Sequence, residues 1–124
     1  MSRLHPDLDP KKQPTMTIKR WNLWLYRLLI NRLIPKVERP ENVESSVVHV
    51  DDREFHIHRP TNKTSKDALF WIHGGGLIMG NPAQENYTHL TFANELGITV
   101  IAITYRVAPQ HPFPTPLDDC HQAW

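Results

Sequence analysis

Three successive glycines follow a histidine in the segment WIHGGGLIMG, residues 71–80. The chain has five glycines, so three adjacent ones, Gly74, Gly75 and Gly76, mark a place where the backbone needs unusual freedom. Successive N–H groups in such a loop can converge on an anion. The loop could bind a phosphate, stabilise the oxyanion of a tetrahedral intermediate, or form a tight turn without chemical function. The sequence contains neither Gly-Lys-Ser/Thr nor Gly-x-Gly-x-x-Gly, which counts against the phosphate interpretation.

Two histidines at alternate positions, His56 and His58, form a second candidate site. They fall on one face of a predicted strand, a spacing that can bind zinc. No third ligand is obvious nearby, so we prefer a solvated strand face and expect no metal site.

A third candidate lies near the end of the sequence, where Cys120 is followed by His121. Neighbouring residues on a helix point about 100° apart, so this pair does not suit a nucleophile and its base. We expect Cys120 to be a packed thiol. Asp118 and Asp119 could be an acid–base pair, but at the first turn of a helix they are more simply partners of the helix dipole and cap.

The serines do not supply the nucleophile that an oxyanion hole serves. Ser2, Ser45, Ser46 and Ser65 all precede the glycine loop, and none is flanked by glycine. An acyl-transfer enzyme needs a nucleophile, a base and an acid held together. We therefore expect no catalytic residue of this kind within the chain.

The glycine loop is predicted to lie inside a βαβ unit. The apolar run Ala68–Ile72 is typical of a strand buried on both faces, and ITVIAIT, residues 98–104, predicts a second buried strand. Between them, Asn81-Pro82 predicts the start of a helix and Gly97 its end. A strand, a helix and a second strand in this order indicate a parallel pair. Thr115-Pro116-x-Asp118 predicts a capping box for a last helix.

Upstream, two further elements are predicted. Alternating apolar residues before and after Asp51-Asp52 indicate a β-hairpin. Between Thr17 and Ile34, apolar residues recur every three or four positions and predict an amphipathic helix whose apolar stripe includes Trp21, Trp24 and Leu28. The positive charges on this helix also suit an interfacial membrane helix. We favour a helix that packs on the domain or covers its pocket.

Composition sets broad limits on the class of protein. The chain has 124 residues, is 40% hydrophobic and 22% charged, and carries a formal net charge of +1. These values indicate at most one domain and give no reason to expect nucleic acid as a partner. Cys120, the one cysteine, fits a reducing compartment, and the polar first residues lack a signal-peptide pattern. We expect a cytoplasmic location.

Three stretches together resemble one family, the bacterial hormone-sensitive-lipase-like carboxylesterases of the α/β-hydrolase fold-3 group. They are FWIHGGGLIMGN (Phe70–Asn81), ELGITVIAITYRVAPQHPFPTPLDDC (Glu95–Cys120) and, more weakly, LHPDLDP (Leu4–Pro10). The resemblance is strong from about Asp67 onward and vague before Ser46. The sequence departs from the usual family pattern at three positions: Thr104 replaces Asp, Val107 replaces Leu and Gln110 replaces Glu.

The resemblance implies an α/β fold: the N-terminal part of an α/β-hydrolase, with a cap helix, a hairpin and a βαβ unit of a mostly parallel sheet. It implies hydrolysis of esters with short to medium acyl chains, without cofactor or metal. By matching positions, the N–H groups of Gly75 and Gly76 would face the oxyanion. Gly74 would allow the turn, and His73 would tie the loop to its surroundings. The nucleophile, acid and base would lie beyond Trp124, so we expect this chain to be inactive alone.

The resemblance also sets expectations for organisation and partners. Residues 1–40 would be an arm and cap-type helix, and residues 41–124 the incomplete first half of the hydrolase domain. The partner would be a small ester, with no stable membrane insertion and at most weak interfacial binding by Trp21–Ile34. The strand at residues 98–104 would lack later neighbours, so we expect self-association of the chain. A retained binding or interaction module without catalysis is the alternative function.

Overall fold

The computed structural model describes residues 17–124, so most of the predicted arm and the stretch Leu4–Pro10 lie outside the described residues. Within this range the strands are β1 (Val43–Val50), β2 (Arg53–Pro60), β3 (Ala68–Ile72) and β4 (Thr99–Thr104). The α-helices are α1 (Leu23–Arg32), α2 (Asn86–Leu96) and α3 (Thr115–Ala123), and a 3₁₀ turn, Pro82–Glu85, precedes α2. None of the helices described in residues 17–124 is long and apolar enough to cross a membrane.

The strands form one sheet with the order β1-β2-β4-β3. β2 pairs antiparallel with both β1 and β4, whereas β3 and β4 pair parallel, with Ile72 opposite Ile103. The predicted parallel pair is confirmed, but the sheet described in residues 17–124 is mixed rather than mostly parallel. The hairpin accounts for one antiparallel pair, because the turn at Asp51-Asp52 reverses the chain between β1 and β2.

The local signals around the βαβ unit are confirmed. The Asn81 side chain accepts a hydrogen bond from the N–H of Ala83 at 2.8 Å, and the Gln84 side chain accepts one from the N–H of Asn81 at 3.1 Å. Gly97 ends α2 in the left-handed conformation with φ 62°. A capped start and a glycine end fix the length of the crossover from β3 to β4.

The sheet is covered by one helix on each face. On one face, Leu90 and Ala93 of α2 pack with Val43 and Val100. On the other, Cys120 of α3 packs with Ile103 and Tyr105, which confirms the expectation of a packed thiol. Val100 and Ile103 point to opposite faces because side chains alternate along a strand.

The edge strand of the parallel pair differs from the prediction. β4 lies between β2 and β3, so the predicted open edge at residues 98–104 is wrong and β3 is at the edge instead. β3 is accordingly not buried on both faces: Ala68 and Ile72 are exposed. The apolar run in β3 was correctly predicted as a strand, but its apolarity did not reveal its position in the sheet.

The start of α3 and the orientation of α1 also differ from the predictions made from the sequence. The N-cap of α3 is Pro114 without a side-chain cap hydrogen bond, so the predicted capping box is absent there. In α1 the predicted apolar stripe faces outward, with Trp21 73% and Trp24 65% exposed, while Leu23 is buried. Arg27, on the side of the helix opposite this stripe, points toward the body of the protein, where its side chain forms hydrogen bonds.

Candidate functional site

The glycine loop, residues 73–80, lies at the carboxyl end of the parallel pair. It follows the last residue of β3, and the loop after β4 lies beside it. The N–H of Ala108 donates to the carbonyl of Leu77 at 2.9 Å, and the Tyr105 hydroxyl donates to the carbonyl of His73 at 2.8 Å. Open α/β sheets place ligands at this end of their strands. The two loops therefore form one connected surface where a ligand would be expected.

The shape of the loop depends on Gly75. Its φ is 128°, and a Cβ added there would lie 1.9 Å from the carbonyl oxygen of Met79. The Gly75 carbonyl accepts the N–H groups of Ile78 and Met79, each at 3.2 Å. A side chain at Gly75 would therefore push apart the turn that its own carbonyl closes.

The donors of the loop remain available. Gly75 and Gly76 are exposed, and their N–H groups donate to no backbone carbonyl among residues 17–124. Gly76 has φ 63°, and the next residue, Leu77, has φ 61°. With Gly75, three successive residues have positive φ, and an irregular turn of this kind can leave successive N–H groups free for a negatively charged oxygen.

Gly74 has a different environment from the one expected. It lies outside the positive φ region, and a Cβ added there would meet no heavy atom within 4 Å. We expected Gly74 to allow the turn, but the position that has no room for a side chain is Gly75. Gly80 was not singled out from the sequence, although a Cβ there would lie 2.4 Å from Nδ1 of His73.

His73 is enclosed beneath the loop. Its ring stacks on Tyr105 with the centroids 4.2 Å apart, and its Nδ1 lies 2.8 Å from the carbonyl oxygen of Gly74. Burial lowers the pKa of His73, although the Gly74 carbonyl acts in the opposite direction. A neutral ring that donates from Nδ1 to Gly74 would hold the loop closed. Sequence reasoning missed Tyr105, whose position directly after β4 was the available signal.

A buried ion pair supports the neighbouring loop. Asp119 is fully buried and accepts from Arg106 at three places: the backbone N–H and Nε, both at 2.9 Å, and Nη2 at 2.7 Å. The hydrogen bonds from Arg106 hold the pKa of Asp119 below its usual range. Asp119 was expected to serve the helix dipole and cap. It instead fixes the chain where β4 leads into the proline-rich loop.

The other histidine candidates lie under α2 and not on a solvated strand face, so that expectation was wrong. His58 is 4% exposed, and His56 is half-buried with its Nε2 2.6 Å from Glu54. No group of three or more His, Cys, Asp or Glu side chains in residues 17–124 is arranged to hold a metal ion. His58 is opposite Val100 in the sheet, and α2 packs against Val100. The histidine is therefore covered by the same helix.

A serine–histidine contact does occur in this region, between Ser45 Oγ and His58 Nδ1 at 2.8 Å. The other ring nitrogen of His58 has no partner among the described residues, so no carboxylate orients the ring as a general base requires. Ser45 also lies on β1, three strands from β3, which corresponds to roughly 14 Å across the sheet. This pair therefore cannot serve the glycine loop.

Cys120 is equally unsuited to act as a nucleophile. It is buried against the sheet, and desolvation raises the pKa of its thiol, which disfavours the reactive thiolate.

A parallel strand pair with a helical crossover, and a loop at its carboxyl ends whose N–H groups have no backbone partner among residues 17–124, is typical of an α/β protein with a ligand site at that end. Residues 69–124 match a family model described as alpha/beta hydrolase fold. This part of the chain therefore has the α/β-hydrolase fold, and the resemblance of the chain to the bacterial hormone-sensitive-lipase-like esterases is confirmed.

Individual relatives show the extent of the similarity. An arylesterase of Saccharolobus solfataricus is 30% identical over 97 residues, which are 77% of this chain and 31% of that enzyme. An FAD-linked oxidoreductase of Aspergillus terreus is 36% identical over 84 residues, 67% of this chain but 10% of that protein. The crystal structure of the HSL homologue EstE7 from a metagenome library is 25% identical with a TM-score of 0.66 and covers 86% of this chain and 40% of that one.

The chain thus spans less than a third of the length of these curated relatives. The family model matches the part that contains the glycine loop and, apart from Ala68, the strands on either side of it.

Proposed function

We propose that the glycine loop is the oxyanion hole of a carboxylic-ester hydrolase, with the N–H groups of Gly75 and Gly76 as its donors. The observation that carries this proposal is a pair of exposed glycines at the carboxyl end of the parallel strands whose N–H groups have no backbone acceptor among residues 17–124. The similarity to an arylesterase supports an ester as substrate. We propose an acyl chain of short to medium length, as the family resemblance implies.

The chemistry follows from where charge develops. When a nucleophile attacks the ester carbonyl, the carbonyl oxygen becomes negative, and donors already in place stabilise it without reorganisation. Loss of one such donor costs roughly 3 kcal/mol of activation free energy. His73, Tyr105 and Gly80 would keep the donors in place by closing the loop from beneath.

The same chain provides no serine flanked by glycines. The nucleophile, its base and its acid would therefore come from residues outside these 124, and we propose that the chain by itself does not turn over esters. In that case Gly75 and Gly76 contribute one half of a divided catalytic site.

A binding or interaction module is the second candidate. The specific observation in its favour is the open edge of β3, beside which a groove of about 260 Å³ is lined almost wholly by apolar side chains. Phe70, Ile72, Leu117 and Trp124 are among them. Self-association through this edge would fit such a module.

A chimera tests the ester hydrolase proposal. The aligned stretch of the Saccharolobus solfataricus arylesterase is replaced by the 97 matching residues of this chain, and hydrolysis of 4-nitrophenyl acetate is measured. We expect turnover, and we expect Gly75→Ala in the chimera to lower kcat by about a hundredfold or more. Lys63→Ala, in the exposed loop before β3, is the matched control and should leave kcat unchanged. A folded, active chimera that is indifferent to Gly75→Ala would contradict the proposal.

A further inference from the structure

Arg27 connects α1 to both loops of the candidate site. Its Nε donates to the carbonyl of Ile78 at 2.9 Å, its Nη2 to the carbonyl of Ala108 at 2.5 Å, and its Nη1 to Oε1 of Gln110 at 2.9 Å. Ile78 belongs to the glycine loop, whereas Ala108 and Gln110 belong to the loop after β4. One side chain therefore binds two loops that are well separated in the sequence.

The guanidinium group is suited to this arrangement. It is planar, carries its donors in a fixed fork and remains charged, so it can serve several acceptors at once. Backbone carbonyls in irregular loops lack a strand or helix partner, and hydrogen bonds to a charged donor are stronger than those between neutral groups. A lysine could place one ammonium group near these acceptors but could not reproduce the fork.

The contact at Ile78 acts on the turn that shapes the donors. The N–H of Ile78 donates to the carbonyl of Gly75, while the carbonyl of Ile78 accepts from Arg27. Ile78 is thus held on both sides: its N–H closes the glycine turn and its carbonyl ties that turn to α1. Movement of Ile78 would open the turn that directs the N–H groups of Gly75 and Gly76.

Apolar side chains contribute little to the connection between α1 and the two loops. A cavity of about 130 Å³ lies between α1 and the loops, lined by Arg27, Ile30, Asn31, Met79, Gly80 and Val107. The apolar stripe of α1, which could have packed there, faces outward instead. The polar contacts of Arg27 therefore carry much of the connection between α1 and the glycine loop.

We propose that Arg27 is a positioning residue that holds the glycine loop in its donor-ready shape and makes that shape depend on the docking of α1. A role of Arg27 in catalysis depends on the proposed function of the loop as an oxyanion hole. Its role in holding the loop does not.

Hydrogen exchange of backbone amides, measured by NMR on the whole chain, tests the inference. Arg27→Met should speed exchange of the amides of Ile78, Met79 and Ala108, which are the hydrogen-bonded amides of the two loops, by about tenfold or more, because the carbonyl contacts that stabilise both loops are lost. The strands β2 and β4 should keep their protection. Arg32→Met, an exposed arginine on the same helix, is the matched control and should change none of these rates.

Two further variants keep the test decisive. Arg27→Lys retains the charge without the fork, so exchange should fall between that of the wild type and that of Arg27→Met. Gln110→Glu gives Arg27 an ionised acceptor and should slow exchange of Ala108, an effect that added salt would reduce. Wild-type exchange of the Ile78 and Met79 amides in Arg27→Met would overturn the inference. Loss of protection throughout the sheet in Arg27→Met would indicate general unfolding, and Arg27→Lys is then the variant to compare with the wild type. Unchanged loop exchange in Arg27→Lys would contradict the inference. Faster exchange confined to the two loops would support it.

Failure of the inference and failure of the proposed function give different results. Unchanged exchange in these variants together with a chimera that depends on Gly75 would remove the role of Arg27 alone. Faster exchange together with a chimera indifferent to Gly75→Ala would remove the oxyanion hole and leave the positioning of the loop intact.

Discussion

Two groups of buried histidines occur in this protein, and they differ in what surrounds them. His73 lies beneath the glycine loop, stacked on Tyr105 and 2.8 Å from the Gly74 carbonyl. His58 and His89 lie between the sheet and α2 with their rings 5.6 Å apart. Both ring nitrogens of His89 are buried without a partner among residues 17–124. The glycine loop uses its histidine to shape backbone donors, whereas the α2 face uses its histidines as packing groups.

The comparison teaches that residue type alone does not identify a site. The region under α2 has three histidines, a serine in contact with one of them and a glutamate in contact with another, yet these groups are not arranged for catalysis. In the glycine loop the one acid–base side chain, His73, is buried and no nucleophile is present, yet the backbone presents donors at the end of the sheet where ligands bind.

The largest expected effect concerns the glycine loop. Gly75→Ala should lower the free energy of unfolding by about 2–4 kcal/mol, because the new Cβ meets the Met79 carbonyl and φ is unfavourable for alanine. Urea denaturation followed by tryptophan fluorescence measures the change. Gly74→Ala, where a Cβ has open space, should stay within about 0.5 kcal/mol of the wild type. Equal effects of the two substitutions would show that the loop does not have the described shape.

The region under α2 should respond to pH. Desolvation, followed by the neighbouring His58 and His56, lowers the pKa of His89 from 6.5 to about 4. The unfolded chain therefore binds more protons than the folded one between these values. Stability should be complete above about pH 6.5 and decline as the pH falls toward about 4, by about 3 kcal/mol from His89 alone.

Denaturation midpoints measured between pH 4.5 and 7.5 check this prediction. His89→Leu should flatten the acid side of the profile, and His111→Leu, an exposed control, should not. A wild-type profile that is level down to pH 4.5 would mean that His89 gains a partner or water that compensates for its protonation.

The smallest effect should come from the support beneath the loop. Tyr105→Phe keeps the stacking on His73 but removes the hydroxyl that donates to the His73 carbonyl. We expect a loss of about 1 kcal/mol in the free energy of unfolding, the usual contribution of one such hydrogen bond. Tyr105→Leu, which also removes the stacked ring, should cost more. No difference between the two variants would mean that the stacking contributes little to the support of the loop.

Much of the local structure could be predicted from the sequence because its causes are local. Asn81 and Pro82 begin the 3₁₀ turn that leads into α2, and Gly97 ends α2. Asp51-Asp52 forms the hairpin turn, and the residues of β3 were located correctly from one apolar run. The glycine loop could be identified because three glycines in a row give the backbone conformations that residues with a Cβ rarely adopt. The roles of Gly75 and Gly76 as oxyanion donors, and the division at residue 40, stay predictions.

Other features depended on residues far apart in the chain. Arg27 meets its acceptors 51 to 83 positions away, Asp119 pairs with Arg106 across a loop, and His58 is buried because α2 packs over it. The periodic pattern of apolar residues correctly predicted that α1 is a helix, but it did not predict which face of α1 turns toward the protein.

By itself, the sequence determined the elements, their order and the presence of a loop with unusual backbone freedom, because these follow from propensities and steric limits within a few residues. Only the tertiary structure decided which strand is at the edge, which histidines are buried and which arginine holds the glycine loop. Those outcomes depend on contacts between residues that are far apart in the chain. The pattern of residue types within one segment does not show which other segment it will pack against.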